Sequence, residues 1–322
     1  MIPYDLVGLG EVMLRLAAPP PQRLEQTGTL EVQIGGAEAN VAAACARLGL
    51  RTAFISALPA DHAWGDRTVR ELTGHGVDCE GVLRRPGSRM GLYFLEYGQP
   101  PRPVRVLYDR KDSAMGRLLP DEVDWKLVRQ SRLVHLSGIT PALGDNLRDV
   151  VRRAIDEAAG ARVPISFDVN YRSRLWSAKE ARDFLSEILP RLGYLFVGLD
   201  DAETVFELTG APEKILARLR QLAPAATIAL TLGEKGSAVL AGGAIVRPSR
   251  LYSVSPVDRV GAGDAYAAGY LWATLNGRAT QQAADAATAL AALKCTIWGD
   301  VPLVTRAELD ELLASDSTEI RR

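Results

Sequence analysis

The sequence predicts an α/β fold with a mainly parallel central sheet between two layers of helices, and a small antiparallel β lid attached to it. Short apolar, β-branched runs alternate along the chain with longer segments of helical periodicity, which is the pattern of a doubly wound sheet. The short runs are apolar on both faces, as expected for strands that helices cover on each side. Two regions instead alternate apolar and polar residues, which indicates strands with one exposed face.

The strands of the central sheet are predicted from runs such as YDLVGLG and TIALTLG, and in chain order they span residues 4–10, 51–58, 132–138, 163–170, 194–198 and 227–233. The predicted helices lie at residues 38–48, about 62–74, 145–160, 177–190, 200–209 and 212–222, and the Ala-rich segment 261–298 is helical as well. Strands separated by helices in this way run parallel to one another.

The lid is predicted from the alternating segments LEVQIGG, GLYFLEYG and VRVLYDR, which begin at residues 30, 91 and 104. We therefore place the lid strands within about 12–36 and 88–111. They are inserted in a single domain that spans residues 1–322. Flaps of this kind often cover active sites.

Composition excludes several classes of protein. Of the 322 residues, 47% are hydrophobic and 24% are charged, as in globular proteins with a sizeable core. The formal net charge of −1 provides no basic field for nucleic acid or anionic lipid, and no apolar stretch is long enough to span a membrane. The three cysteines lack the spacing of a metal site and the even count of a disulfide framework. The N-terminus lacks the basic region of a signal peptide. We expect a cytoplasmic protein.

The first motif is GGAEANVAAACARLGL, at residues 35–50. Gly35 and Gly36 permit a close approach of the backbone, and Asn40 lies one turn into a helix lined with alanine. These residues fit close packing of the helix on the sheet, with Asn40 bonded to the backbone. They fit equally well a turn that receives a ligand with several hydroxyl groups, which Asn40 bridges.

The second motif is DRVGAGD, at residues 258–264. Gly261, Ala262 and Gly263 precede Asp264 at the start of a helix, where unpaired N–H groups bind phosphate. A carboxylate at that place is a competent general base. The alternative is that Asp264 only caps the helix.

Together the two motifs resemble those of the ribokinase-family (PfkB-type) carbohydrate kinases, and the resemblance extends over nearly the full chain. It implies a ribokinase-like three-layer sandwich in which the amides of Gly261, Ala262 and Gly263 form an anion hole. Asp264 would take the proton from the attacking sugar hydroxyl. ATP and Mg²⁺ are the implied cofactors, and a requirement for a monovalent cation such as K⁺ is left open. We also expect a homo-oligomer.

The nucleotide contacts are implied by the segment TLGEKGS, at residues 231–237. It resembles the family's T-x-G-x-x-G segment, so that Thr231, Gly233 and Gly236 would border the triphosphate and ribose; a plain strand followed by a glycine turn is the alternative. The family's N-x-x-E motif aligns with GLDD, where Gly198 replaces Asn and Asp201 replaces Glu. Asp201 would therefore hold Mg²⁺ through water.

The sugar is implied by VHLSGITPAL, FDVNYRSRLW and LYDRKDSA, which resemble segments of the 2-keto-3-deoxygluconate kinases of this family. Carried over by position, the residues that bind the substrate are Gly35, Gly36, Asn40, Tyr93, Tyr108, Arg110, Arg172, Asp264 and Asp300. Asn170 and Arg172 would also lie near the ATP phosphates. Arginines suit this substrate because a sugar acid carries a carboxylate that neutral sugars lack.

The implied reaction is ATP-dependent phosphorylation of 2-keto-3-deoxygluconate to 2-keto-3-deoxy-6-phosphogluconate. The galactonate epimer and a kinase for a neutral sugar such as fructose or ribose are left open. So is a non-catalytic nucleotide-binding regulator, which the loss of Asn at Gly198 favours. A nicotinamide-dependent dehydrogenase is disfavoured, because Gly8 and Gly10 lack the third glycine of the dinucleotide fingerprint at Met13.

Overall fold

The computed structural model describes residues 3–98 and 101–314. Within them the strands, in chain order, are β1 (Leu6–Leu9), β2 (Met13–Ala17), β3 (Glu31–Gly35), β4 (Thr52–Pro59), β5 (Val77–Asp78), β6 (Val82–Arg85), β7 (Leu92–Glu96), β8 (Arg105–Asp109), β9 (Val134–Ser137), β10 (Ile165–Asp168), β11 (Tyr194–Gly198), β12 (Thr227–Thr231), β13 (Ser237–Ala241) and β14 (Ala244–Val246).

The α-helices of the same residues are α1 (Ala37–Arg47), α2 (Ala63–Gly74), α3 (Trp125–Arg129), α4 (Ile139–Ala142), α5 (Asp145–Ala161), α6 (Ala178–Ile188), α7 (Leu199–Phe206), α8 (Pro212–Leu222), α9 (Ala262–Leu275), α10 (Thr280–Cys295) and α11 (Arg306–Ala314). Short 3-10 helices span Met115–Arg117, Pro120–Glu122, Leu189–Arg191 and Gly233–Lys235.

The central sheet has the strand order β14-β13-β12-β11-β10-β9-β1-β4-β5, with β6 also paired to β4. From β12 to β5 the neighbouring strands run parallel, whereas β13 and β14 run antiparallel at one edge. The register places Asp168 opposite Phe196 and Gly198 opposite Thr231. The carboxyl ends of β10, β11 and β12 therefore meet at one edge of the sheet, where ligands bind in open α/β folds.

Two apolar cores cover the two faces of this sheet. Val7 and Leu9 of β1 point into the core that contains the buried faces of α5, α6 and α8, while Leu6 points into the core that contains α1, α9 and α10. This alternation follows from the period of two along a strand. The result is three layers, and the α/β class expected from the sequence is confirmed.

The lid is a separate four-stranded sheet with the order β3-β2-β7-β8. Its outer pairs, β3 with β2 and β7 with β8, are antiparallel as expected, and the middle pair, β2 with β7, is parallel. The parallel pair has a simple cause. The chain enters the lid once after β1 and once after β6, and both of these strands run in the same direction as β4, to which each is paired.

Candidate active site

A cavity of 1110 Å³ lies between the lid and the carboxyl edge of the central sheet. The lid lines it with Tyr93 and Tyr108, the ends of the sheet strands line it with Asp168 and Thr231, and α9 lines it with its first turn. Strand ends and a helix N-terminus thus converge on one cavity, as in ligand sites of α/β proteins.

The first turn of α9 is formed by the sequence GAGD. Gly261 precedes the helix in a left-handed conformation (φ 84°), and a Cβ atom there would lie 2.2 Å from the carbonyl oxygen of Asp300. Glycine is therefore required twice over, by the backbone angle and by the close contact. The helix start leaves the N–H groups of Gly263 and Asp264 without an intrahelical acceptor, so that they are available to an anion. The N–H group of Ala262, which the sequence analysis assigned to the anion hole, instead donates to the Arg259 carbonyl oxygen (3.2 Å).

Asp264 has the environment of a general base. Its side chain is 9% exposed, and the Asn40 amide nitrogen donates a hydrogen bond to its Oδ2 (2.6 Å). Burial raises the pKa of Asp264 to about 7; the Asn40 hydrogen bond opposes the shift, the Asp300 carboxylate adds to it, and Arg172 opposes it. A carboxylate with a pKa near the working pH can accept a proton and release it again. The contact also joins the two motifs, which lie 224 residues apart.

The two glycines of the first motif are needed for close packing. A Cβ atom at Gly35 would lie 2.3 Å from the Tyr93 hydroxyl oxygen, and one at Gly36 would lie 2.2 Å from the Glu11 carbonyl oxygen. Tyr93 in turn donates a hydrogen bond to Asp300 (2.5 Å). Both glycines also line the cavity, so the packing and ligand interpretations of this motif are compatible.

The two arginines expected at the substrate differ in their partners. Arg110 is 8% exposed, and its Nε donates to the buried carboxylate of Glu11 (2.7 Å), so its charge is largely neutralised. Arg172 donates to the Tyr171 carbonyl oxygen (3.1 Å). Across residues 3–98 and 101–314, no carboxylate forms an ion pair with Arg172, and its side chain lines the cavity. Arg172 is therefore the cation available to an anionic ligand.

A second cavity, of 710 Å³, adjoins the first and shares Thr231, Ala262 and Gly263 with it. Gly233 and Gly236, both with positive φ, line it. Apolar and aromatic residues such as Leu251, Tyr252, Val254 and Ala292 line it as well. The start of α9 thus lies between two spaces, which is the arrangement that a transfer reaction between two substrates requires.

Asp168 is a residue of the cavity that sequence reasoning missed. Burial raises the pKa of Asp168 well above its usual value, and the carboxylates of Asp264 and Asp201 raise it further. Asp201 accepts the Tyr171 N–H (3.2 Å), and its pKa is also raised by burial. The sequence does contain a signal for Asp168 as a site residue. Asp168 ends the strand in FDVNYR, and parallel strands place their last residues at the ligand-binding edge.

Every residue that the sequence analysis assigned to the site lines one of the two cavities. Tyr93 and Asp300 are bonded to each other and Arg110 is bonded to Glu11, whereas Tyr108 is 37% exposed at the lid edge. Asn170 stands at φ 39°, a left-handed conformation that asparagine tolerates. The roles of these residues stay predictions.

Metal clusters and membrane-spanning helices are both absent from the described residues. In residues 3–98 and 101–314 there is no group of three or more His, Cys, Asp or Glu side chains arranged to hold a metal ion. Over the same residues, none of the helices combines the length and apolar character that crossing a membrane needs.

Comparison with known proteins identifies the family of the chain. A profile of the pfkB family carbohydrate kinases matches residues 4–302. The chain is 36% identical to the 2-dehydro-3-deoxygalactonokinase of Haloferax volcanii over 99% of both chains. It is 34% identical to the 2-dehydro-3-deoxygluconokinase of Thermoproteus tenax over 96% of this chain and 94% of the relative.

Among solved structures, the chain is similar to the crystal structure of 2-dehydro-3-deoxygluconokinase from Thermotoga maritima. The TM-score is 0.92 at 34% identity, over 97% of this chain and 100% of that one. The chain therefore belongs to the pfkB family of carbohydrate kinases, which transfer a phosphoryl group from ATP to a sugar.

Proposed function

We propose that the substrate is a sugar acid, 2-keto-3-deoxygluconate (the 2-dehydro-3-deoxygluconate of the relatives' names), and that the product is 2-keto-3-deoxy-6-phosphogluconate. The observation that carries the proposal is Arg172, which lines the same cavity as the base Asp264 and, among the described residues, forms no direct ion pair with a carboxylate. A carboxylate on the substrate pairs with a planar guanidinium through two hydrogen bonds. A neutral sugar offers the guanidinium no such partner.

In the proposed reaction, Asp264 accepts the proton of the attacking sugar hydroxyl as this oxygen approaches the γ-phosphorus of ATP. The new O–P bond forms as the bond to the β,γ-bridging oxygen breaks, and ADP leaves. The amides at the start of α9 stabilise the negative charge on the transferred group. Asn40 holds Asp264 in place through its 2.6 Å hydrogen bond.

Mg²⁺ fits the acidic side of the cavity. The carboxylates of Asp264 and Asp201 raise the pKa of Asp168, and the Asp200 carboxylate raises the pKa of Asp201. A divalent cation relieves such repulsion. Mg²⁺ prefers carboxylates, water and substrate phosphates as ligands. We propose that Asp168 and Asp201 hold it, in part through water, and when bound it would neutralise charge on the phosphates.

The single domain and the homo-oligomer expected from the sequence stay predictions. Apolar side chains on and beside the outer lid strand β8 support an interface, since Val104 is 49% and Leu107 is 50% exposed. Light scattering on the purified chain measures the mass directly. A monomeric mass would contradict the expectation.

The function is tested with an ADP-release assay on a panel of sugars and sugar acids. The panel contains 2-keto-3-deoxygluconate, its galactonate epimer, gluconate, fructose and ribose. The epimer is included because the Haloferax volcanii relative is named for it. We expect kcat/KM to be highest for one of the two keto-deoxy acids; the highest value for fructose or ribose would refute the proposal, and no turnover of any sugar would favour a non-catalytic regulator.

A further inference from the structure

A lysine is completely buried beneath the loop that leads into α9. Lys294, in the last turn of α10, has a relative exposure of 0%. Its Nζ donates hydrogen bonds to two main-chain carbonyl oxygens, those of Asp258 (3.0 Å) and Ile297 (3.2 Å). Carbonyl oxygens of this kind are also the groups that replace the hydration shell of a dehydrated K⁺ ion. An ammonium group and K⁺ are similar in size and equal in charge.

The two carbonyls belong to the two segments that support the anion hole. The Gly299 N–H donates to Oδ2 of Asp258 (3.1 Å). Gly261 packs so tightly on the carbonyl oxygen of Asp300 that an added Cβ atom would lie 2.2 Å from it. The loop 258–261 therefore rests directly on the segment 297–300, and Lys294 is bonded to both. A shift of either segment moves Gly261 and with it the first turn of α9.

The charges around Lys294 also point to a fixed cation. Arg15, on lid strand β2, is 0% exposed and pairs with both Asp258 (2.6 Å) and Asp300. One guanidinium neutralises only one of these two carboxylates, and Lys294 supplies the second positive charge. Burial lowers the pKa of Lys294, and the carboxylates of Asp258 and Asp300 offset only part of that shift. The carboxyl end of α10 adds favourable negative potential.

We propose that Lys294 is a built-in monovalent cation that positions the anion hole, so that the chain needs neither K⁺ nor another monovalent ion for phosphoryl transfer. Lys294 is a positioning residue in this proposal, because it acts through the loop 258–261 and does not reach the reacting atoms. The proposal rests on the kinase function given above, since its main readout is turnover.

The first experiment measures wild-type turnover of 2-keto-3-deoxygluconate with MgATP in KCl, NaCl and tetramethylammonium chloride at equal ionic strength. We expect equal rates, because the cation is part of the chain. A clear fall in rate when tetramethylammonium replaces K⁺ would overturn the proposal. This result does not depend on whether any variant folds.

The second experiment compares Lys294→Ala, which opens a space beneath the loop, with Lys294→Met, which fills it without a charge. We expect both variants to lose about 10²-fold in kcat, the loss typical of misplaced reacting groups. K⁺ or NH₄⁺ should restore Lys294→Ala and leave Lys294→Met unchanged, and tetramethylammonium should restore neither. An unaltered rate in Lys294→Ala, or a low rate that no ion restores, would overturn the proposal and leave Lys294 a structural residue.

A substrate-free readout separates this proposal from the proposed function. Hydrogen exchange of residues 258–264, measured without sugar or nucleotide, should be faster in Lys294→Ala than in the wild type, and K⁺ should slow it again. If the wild type turns over no sugar, the proposed function fails, and this measurement still tests Lys294. Exchange in the variant that matches the wild type would overturn the role assigned to Lys294.

Discussion

Replacing Asp264 by Asn separates catalysis from helix capping. Asn keeps the size of the side chain, and its carbonyl oxygen can still accept the hydrogen bond from Asn40 (2.6 Å in the wild type). It cannot accept the proton of the sugar hydroxyl. Removal of a general base lowers the rate by about 10²–10⁴, whereas removal of a cap lowers the free energy of unfolding by about 1 kcal/mol.

The structure predicts that Asp264→Asn stabilises the folded chain, whereas the loss of a cap would destabilise it. In the folded chain the pKa of Asp264 is raised from 3.8 to about 7, mainly by burial. The unfolded chain therefore releases the proton first as the pH rises, and the free energy of unfolding falls between about pH 4 and pH 7. The ionised side chain costs the folded state on the order of 4 kcal/mol above that range. Asp264→Asn removes this cost, so we expect its Tm at pH 7 to equal or exceed that of the wild type.

Turnover, Tm and ATP affinity should be measured on the same purified variant. ATP affinity should survive, because the amides at the start of α9 are unchanged. The wild-type kcat/KM should rise with pH through an apparent pKa near 7, and the variant should lack that step. Asp183→Asn, an exposed acid on α6 paired with Lys179, is the matched control. A folded, ATP-binding Asp264→Asn protein with turnover within about threefold of wild type would refute the catalytic role.

Three further predictions concern the remaining parts of the site. Arg172→Ala should raise KM for the sugar acid by about 10- to 100-fold, because a charged hydrogen bond is lost, and should hardly change KM for a neutral sugar. Equal effects on both sugars would assign Arg172 to the phosphates. Arg153→Ala, on the exposed face of α5, is the control. Gly198→Asn should fold normally, since a Cβ atom added at this position would lie 3.9 Å from Asp201 Oδ2. The variant should lower the Mg²⁺ concentration for half-maximal rate by up to about tenfold. An unchanged Mg²⁺ dependence would place the ion away from β11. Hydrogen exchange of lid strands β7 and β8 should slow when sugar and nucleotide bind, and unaltered exchange would argue against closure.

The layer architecture could be predicted because the apolar runs of the central strands differ from the alternating lid strands. The edge strands β13 and β14 were not predicted, since both are short and lie among glycines (Gly236, Gly242, Gly243) that read as turns. Helix α7 ends at Phe206, earlier than predicted, because Glu207 adopts a left-handed conformation with φ 57°. No sequence pattern distinguishes that glutamate from a helical one.

The site residues that lie within a motif could be predicted from the sequence. The buried residues that hold those motifs in place could not. Arg15 stands in the strand MLRLA and would be read as a solvent-facing position, yet it is buried against Asp258 and Asp300. These partners lie 243 and 285 residues away in the chain. Lys294 likewise lies in the last turn of an Ala-rich helix, where a lysine would be read as solvent-facing. Such contacts depend on how the lid and the α9 loop meet, which local periodicity does not determine.

The charges that line the main cavity favour a nucleotide that binds together with a cation. Three of the four arginines there are paired with acids, Arg102 with Glu96, Arg110 with Glu11 and Arg259 with Glu234. Asp258 and Asp300 are both paired with Arg15. Among the described residues this leaves the carboxylates of Asp168, Asp201 and Asp264 against Arg172 alone. ATP would add more negative charge to a site that is already acidic, and it would raise the pKa of Asp264 further. A divalent cation held by Asp168 and Asp201 would oppose both effects, so we expect the pKa of Asp264 to stay near its ligand-free value of about 7 when the metal–nucleotide complex is bound.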